Sequence, residues 1–345
     1  MTTTLDWSAY SDPALPVRER ASIFASAWQY VGHLGQLSTP GFFASRVGDI
    51  PVVVTYDREE TLRAFVNVCR HRGSVVARGQ GSRSTLQCPY HAWTYGLDGS
   101  LRVAPRAERE GGVDLDELSL RPVSVGAWGP FVFVNVDADA PALAETLGRL
   151  PELVAGAGVD VESLEFRQRA ESAVDANWKL VAENFLECYH CSVAHPGFSA
   201  LVDVSPETYR LEPGEGFSSQ FGPVRENGTG YDTAGDVMRG QFHFLWLNTT
   251  INIFPGRANL SIGPVLPAGA TRTERFLDYF FAAGIDDDWI AELLAFDDQV
   301  GREDRELVEN VQRGVATGLL DHGELLPESE RLIVDFQRRI AEALD

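Results

Sequence analysis

Two short segments, each carrying one cysteine and one histidine, constrain this chain more than any other feature. Cys69-Arg70-His71-Arg72-Gly73 supplies the first pair and Cys88-Pro89-Tyr90-His91-Ala92-Trp93 the second. They stand among short apolar or alternating runs, 51–56 and 62–68 before them and an Asp98-Gly99 hairpin turn after them. Gly73 and Pro89 suit tight loops between strands, in which backbone amides close around inorganic sulfide. Each half offers one thiolate and one imidazole. That donor set matches a two-iron cluster with two cysteines on one iron and two histidines on the other, where imidazole in place of thiolate raises the reduction potential. Zinc is the competing occupant, but zinc modules usually pair like with like in each knuckle, and both halves here are mixed.

A second concentration of ligand-type residues runs from Asn177 to Pro196. Asp175 is a plausible N-cap, and Trp178, Val181, Phe185 and Leu186 form an apolar stripe at helical spacing. Asn184, Glu187 and His190 recur every three residues, near one face. His195 follows His190 by five, which on a regular helix sets the imidazoles about 140° apart. For both to reach one metal the helix must break between them, and Pro196 stands just beyond. By itself the stretch also reads as polar groups at a core edge, and Cys188-x-x-Cys191 as half a zinc site.

The 345 residues imply two domains, and 44% apolar residues can bury a large core. The formal charge of −21 argues against nucleic acid or an anionic membrane as partner. It fits a soluble protein, a cationic substrate or a basic redox partner. With no leader pattern and no run of 18 apolar residues, a cytoplasmic protein is expected. The four cysteines fall in two local pairs, which in a reducing compartment suggests metal chemistry before disulfides.

Residues 14–36 read as an N-terminal helix, 37–137 as strands, and 139–150 as a further helix before a Gly-rich linker at 155–158. Strands are predicted at 166–174, 241–247, 251–254, 259–262 and 273–282. Helices are predicted from Asp286 to about 311 and over 329–344, and 205–238 reads as a long loop. The fold class is α+β: 1–36 packing with the catalytic domain, 37–150 a small all-β domain, and 151–345 an antiparallel sheet gripping helices.

The paired loops resemble the Rieske iron–sulfur motif, and the whole chain resembles the α subunits of Rieske non-haem iron oxygenases. Asn177-Trp178-Lys179, Glu183-Asn184 and the Glu187, His190, His195 set are similar to their catalytic signature. The resemblance implies a [2Fe-2S] cluster on Cys69, His71, Cys88 and His91. It also implies mononuclear Fe(II) on His190, His195 and a later carboxylate, a face that leaves positions open for dioxygen and water. Glu303-Asp304, followed by Leu307, Val308 and Gln312, is similar to the family's acidic pair, so Asp304 is the expected ligand; Asp297 and Asp298 read as a solvated face. Cys188 and Cys191 then reduce to packing. Asn184 and Glu187 are the expected catalytic residues beside the metal. Glu187 stands where the family often has a bridging aspartate, and Glu-Cys-Tyr-His-Cys resembles the branch acting on quaternary ammonium or N-methylated compounds. Phe242, Phe244, Trp246 and Trp289 would supply an aromatic cage for a cation, although alternation in a strand equally marks core.

The expected function is a terminal oxygenase that hydroxylates or demethylates a small organic substrate with O2. Its electrons come, ultimately from NAD(P)H, through a ferredoxin or flavin reductase. A quaternary ammonium or N-methylated amine is the favoured substrate, and an aromatic ring the alternative. By the same resemblance the assembly is a homotrimer in which His91 of one subunit approaches Glu187 of the next. Readings of another class are a Rieske electron carrier without oxygenase activity and a zinc-binding redox sensor built on Cys188 and Cys191. No nucleic-acid or membrane partner is expected.

Overall fold

A computed structural model describes residues 2–109, 114–226 and 228–344. It divides into two compact units, Phe24–Leu143 and a larger one formed by Met1–Ile23 with Ala144–Asp345. The smaller unit holds a seven-stranded antiparallel sheet in the order Gln29–His33, Phe131–Asn135, Pro122–Trp128, Leu62–Val66, Ile50–Tyr56, Gly41–Val47, Gln80–Gly81. Beside it lies a three-stranded sheet, Thr85–Gln87, Thr94–Gly96 and Leu101–Val103. β-Branched and aromatic residues drive these strands: Val52, Val53, Val54 and Phe131 to Val134 are all fully buried. The predicted turn is present at Asp98-Gly99. Gly99 has φ +80°, and a Cβ there would stand 2.3 Å from the Phe65 ring, so only glycine fits.

The larger unit is built on a second seven-stranded antiparallel sheet, ordered Leu164–Val174, Thr273–Ala282, Asn259–Pro267, Thr249–Ile253, Arg239–Leu245, Phe217–Pro223, Arg210–Glu212. Helix Trp178–Phe185 packs against strand Asn259–Pro267 and against the long helix Asp287–Val315. As expected, Asp286 caps that long helix, its side chain accepting from the backbone N–H of Asp288 and Trp289. The C-terminal helix Arg331–Leu344 buries Leu332, Ile333, Phe336 and Ile340.

Helix Trp178–Phe185 is enclosed nearly all round, and that forces polar partners on its charged residues. Lys179 and Glu19 are 0% and 1% exposed and pair directly. Glu19 also accepts from Trp178 Nε1 at 2.9 Å. Asn177, rather than Asp175, is the N-cap, accepting from Lys179 N at 3.0 Å. Gln312 accepts from Asn177 N at 2.7 Å, and Asp175 instead pairs with Arg272 at the surface. Glu183 accepts from Tyr10 Oη at 2.9 Å and from Gln337 Nε2 at 3.0 Å.

Several expectations are corrected. The helical signal over 14–36 ends at Phe24, and Gln29–His33 is a strand buried along its whole length, a pattern that periodicity cannot separate from a buried helix. The unit boundaries accordingly fall at 23/24 and 143/144 rather than at 36 and 150, and the 155–158 turn lies within the larger unit. The segment 205–238 contains two strands, Arg210–Glu212 and Phe217–Pro223, paired onto the sheet. Their signal is masked by glycines placed for close approach: a Cβ on Gly222 would meet Val202 Cγ1 at 2.4 Å.

Burial raises the Glu183 carboxyl from its ordinary 4.5 to about 7, outweighing the hydrogen bonds from Gln337 and Tyr10 that lower it. A raised acid is protonated in the folded chain and ionised in the unfolded one between these values, so stability falls as pH climbs through that window. Glu183→Gln removes the titration. The drop in melting temperature between pH 5 and pH 8 is therefore expected to shrink by several degrees in this variant, as measured by calorimetry; an unchanged drop would place the pH dependence elsewhere.

Candidate active site

The predicted helix break is where the first two metal-type ligands sit. Helix Trp178–Phe185 ends at Leu186, and its last carbonyl, on Phe185, accepts from Gln220 Nε2. Asn184 therefore remains on the helix, while Glu187 and His190 belong to the turn beyond it, not to one continuous helical face. A single short helix, Cys191–Ala194, follows. His195 then adopts φ −118°, ψ 73° before Pro196–Leu201 begins. This kink returns His195 toward His190, their Nε2 atoms 3.1 Å apart. From the long helix, Asp304 Oδ1 lies 3.0 Å from His195 Nε2 and 3.5 Å from His190 Nε2. The three donor atoms fall within 4.8 Å of one another.

Each imidazole is oriented from behind. His190 Nδ1 pairs with Glu187 Oε1, while Glu187 Oε2 takes the backbone N–H of Tyr189 and of His190. His195 Nδ1 lies 2.8 Å from Glu303 Oε2, and Glu303 Oε1 accepts from Gln299 Nε2 at 2.7 Å. With both Nδ1 atoms engaged by carboxylates, both Nε2 lone pairs face one point, as a divalent metal requires. Asn184 Nδ2 donates to Asp304 Oδ1 at 2.6 Å and fixes that carboxylate's rotation. Burial lowers the His190 pKa, but in the metal-free chain Asp304 and Glu187 outweigh it and hold it at about 9, so a metal taking the Nε2 lone pair would displace a proton. Burial likewise opposes Asp304, yet His190 and His195 hold its carboxyl well below the usual range. Three protein donors of the two-histidine, one-carboxylate type thus fit Fe(II).

The paired loops of the smaller unit are near copies of each other. Gly73 N bonds to Cys69 O and Ala92 N to Cys88 O, and both Gly73 and Ala92 take positive φ, +73° and +60°. Cys69 and Cys88 are buried, whereas His71 and His91 lie at the surface with ring centroids 4.6 Å apart. Burial raises the Cys88 thiol, but backbone N–H groups of Tyr90 and His91 and the side chains of Cys69 and Ser74 bring it below its ordinary value. Tyr95 Oη lies 3.3 Å from Cys69 Sγ. Desolvation and the neighbouring charges of His71 and Arg72 lower His91, favouring the neutral imidazole that a metal needs. Buried thiols beside backbone amides and a pair of surface imidazoles fit a [2Fe-2S] cluster.

The structure adds residues the sequence did not single out and removes others. Tyr95 and Ser74 support the thiols; a strand tyrosine carries no separate signal of such a role. Cys188 and Cys191, read as packing or as zinc donors, form a disulfide with Cα atoms 4.9 Å apart, because their turn brings them within bridging range. Of the four aromatics considered for a cage, only Phe242 lines the cavity beside the triad. Phe244 and Trp246 pack near Phe336, and Trp289 is core, because the strand alternation that suggested a cage serves packing. Asp297 is not on a solvated face: it lines the cavity and accepts from Tyr279 Oη at 2.5 Å. Its spacing of seven from Asp304 was the available signal, since residues seven apart share a helix face.

Fold and donors together define an iron-dependent oxidoreductase with a separate electron-transfer module. Residues 161–345 match the Ring hydroxylating alpha subunit (catalytic domain) family, and residues 27–122 the Rieske [2Fe-2S] domain. Choline monooxygenase, chloroplastic, from Beta vulgaris is 32% identical over 344 residues, covering 97% of this chain and 76% of that protein. The carnitine monooxygenase oxygenase subunit of Acinetobacter pittii is 31% identical over 329 residues, 93% of this chain and 88% of that one. A crystal structure of the quaternary ammonium Rieske monooxygenase CntA with an inhibitor superposes with TM-score 0.87 at 29% identity, covering 100% of this chain and 96% of the other. This chain belongs to the Rieske non-haem iron oxygenases, enzymes with a [2Fe-2S] cluster and a mononuclear iron. Among the described residues, no helix is long and apolar enough to cross a membrane.

Metal analysis should find about three irons and two acid-labile sulfides per chain, the sum of one cluster and one mononuclear site. Asp304→Ala should lose close to one iron and keep the cluster absorbance. Cys69→Ser should lose the colour. Asp297→Ala retaining less iron than Asp304→Ala would count against this donor set.

Proposed function

We propose that this chain is the terminal oxygenase of a system that oxidises a small quaternary ammonium or N-methylated amine, with Cys69, His71, Cys88 and His91 holding the cluster and His190, His195 and Asp304 the iron. When bound, the cluster supplies electrons, received from a ferredoxin or flavin reductase, and the iron supplies dioxygen activation. Glu187 and Glu303 hold the two imidazoles in register, and Asn184 holds Asp304.

The cavity wall is the observation that carries the substrate class. The cavity holds about 220 Å³ beside the triad, below the roughly 300–1,000 Å³ of sites for drug-sized ligands, so it suits a small metabolite. Glu171, Glu187, Asp297, Asp298 and Asp304 line it against only Arg275 and Arg305, an excess of negative charge that iron(II) offsets only in part. Phe198, Tyr209, Phe242, Phe254 and Tyr279 supply aromatic faces. Carboxylates and π-faces together favour an organic cation, whereas an unsubstituted arene would leave Asp297, which has no ionic partner, uncompensated. The relatives point the same way, since CntA was solved with L-carnitine and with gamma-butyrobetaine.

The direct test is oxygen uptake by the reconstituted enzyme with a reductase, across choline, carnitine and betaine-type cations on one hand and naphthalene on the other. Substrate-dependent uptake and a hydroxylated or dealkylated product are expected with at least one cation and not with the arene. The reverse pattern would sink this reading.

We further infer that the working unit is a homotrimer in which neighbouring chains complete each other. Two exposed apolar patches support this. Tyr90, 56% exposed, stands beside His91, and Tyr189 and Val193, 63% and 87% exposed, flank His190 next to Glu187. A second copy covering such patches removes apolar surface from water. Cys69→Ser and His190→Ala chains, each inactive alone, should therefore recover part of the activity when co-assembled. Verified mixed oligomers that stay inactive would show that each chain works with its own pair of centres.

A further inference from the structure

We propose that Asp297, held by Tyr279, is the counter-ion that receives the cationic head of the substrate; this deepens the reading above and rests on it. Asp297 and Asp304 lie seven residues apart on the unbroken helix Asp287–Val315, so they share a face with roughly 10 Å of rise between them. Both line the cavity. One carboxylate thus stands at the metal-type triad and the other two helical turns away, with room between them for a small molecule. Asp298, the next residue, is 65% exposed and already paired with Arg302 at 2.6 Å.

What singles out Asp297 is that its charge has no ionic partner. Its hydrogen bond comes from Tyr279 Oη to Oδ2, and no cation among the described residues lies within ion-pair distance of it. Arg275, also on the cavity wall, acts on it only through its field. Burial raises the Asp297 carboxyl above its ordinary value, helped by Asp304 and Asp298, and the Tyr279 hydrogen bond and the Arg275 charge do not cancel this. A half-buried carboxylate left in that state is costly, and a bound cation relieves it. Lining the same cavity, the Phe242 and Phe254 rings meet edge to face at 5.5 Å and Phe198 lies 5.7 Å from Phe242. A trimethylammonium group cannot donate a conventional hydrogen bond; charge and aromatic faces are what recognise it, and this wall offers both. Tyr279 keeps the carboxylate aimed by holding one oxygen and leaving the other for the ligand.

A structural role for Asp297, tying the long helix to strand Thr273–Ala282 through Tyr279, would make different predictions. The test uses Asp297→Asn in the full, iron-loaded enzyme, because the amide keeps the shape and a hydrogen-bond acceptor for Tyr279. Tetramethylammonium chloride is titrated calorimetrically, and turnover is compared between the best cationic substrate and its neutral carbon isostere, which carries a tert-butyl group for the trimethylammonium. The expected result is at least tenfold weaker tetramethylammonium binding and at least tenfold higher KM for the cation. Iron content, kcat within a few fold and the KM of the neutral isostere should hold, and Asp297→Glu should recover part of the binding. Equal losses for cation and isostere would assign Asp297 to packing, and unchanged tetramethylammonium binding would refute the counter-ion. If the wild-type enzyme binds and oxidises no cation at all, the substrate class itself is wrong, and that outcome is visible before any variant is made.

Discussion

The buried pairing of Lys179 with Glu19 is the interaction on which the catalytic unit depends. A lone ammonium in that position would cost several kcal/mol in lost hydration, so the helix that carries Lys179 is fixed wherever Glu19 can meet it. Glu19 reaches the same helix twice, because it also accepts from Trp178 Nε1. Gln312 clamps the preceding backbone at Asn177, and Thr273 Oγ1 donates to Ala176 O at 2.7 Å. The N-terminal segment, the long helix and the central sheet therefore all converge on the first turn of Trp178–Phe185. With that turn fixed, the helix end at Leu186 is fixed too, and the turn through Glu187 and His190 starts from a defined point.

From there the geometry of the triad follows from chain direction. His190 and His195 could not face one metal from a continuous helix, and the break at His195 is what brings them together. Asp304 comes from the long helix, whose register is pinned by the contact between Gln312 and Asn177 two turns further on. Glu303 and Asp304 are adjacent residues with divided tasks: Glu303 orients His195 through Nδ1, while Asp304 faces both Nε2 atoms. A carboxylate pair on a helix can serve in this way because consecutive side chains point about 100° apart, one behind the imidazole and one in front.

The sequence made the paired loops legible because their donor chemistry is local and their spacing short; His190 and His195 stood out only as candidates, and Asp304, 109 residues beyond His195, was expected from the family resemblance alone. It also made the capped helix from Asp286 legible, since the cap and the apolar stripe lie in one window. What it hid were features that exist only between segments. Gln29–His33 looked helical because burial on both faces erases period-two alternation. The strands within 205–238 were hidden by Gly214, Gly216 and Gly222, whose purpose is close approach to Phe217, Thr146 and Val202. Trp289 and Trp246 were plausible cage residues until their packing partners were known, and Asp297 looked solvated because its partner, Tyr279, is on a distant strand.

Net charge shows the same limit in another form. The chain is acidic by 21 charges, which by itself suggested a basic redox partner as readily as a cationic substrate. The surface at His71 and His91 does not share that sign: Arg70 and Arg72 flank His71, both exposed, and Arg72 lies over the Tyr90 ring at 5.5 Å. At separations beyond about 8–10 Å in physiological salt, exposed charges elsewhere are largely screened, so a partner approaching those imidazoles meets the arginines and not the average. The cavity beside the triad is acidic for a separate reason, since Glu171, Glu187, Asp297, Asp298 and Asp304 all line it. Recognition at each centre is therefore set by its own few charges, and the total of −21 predicts neither.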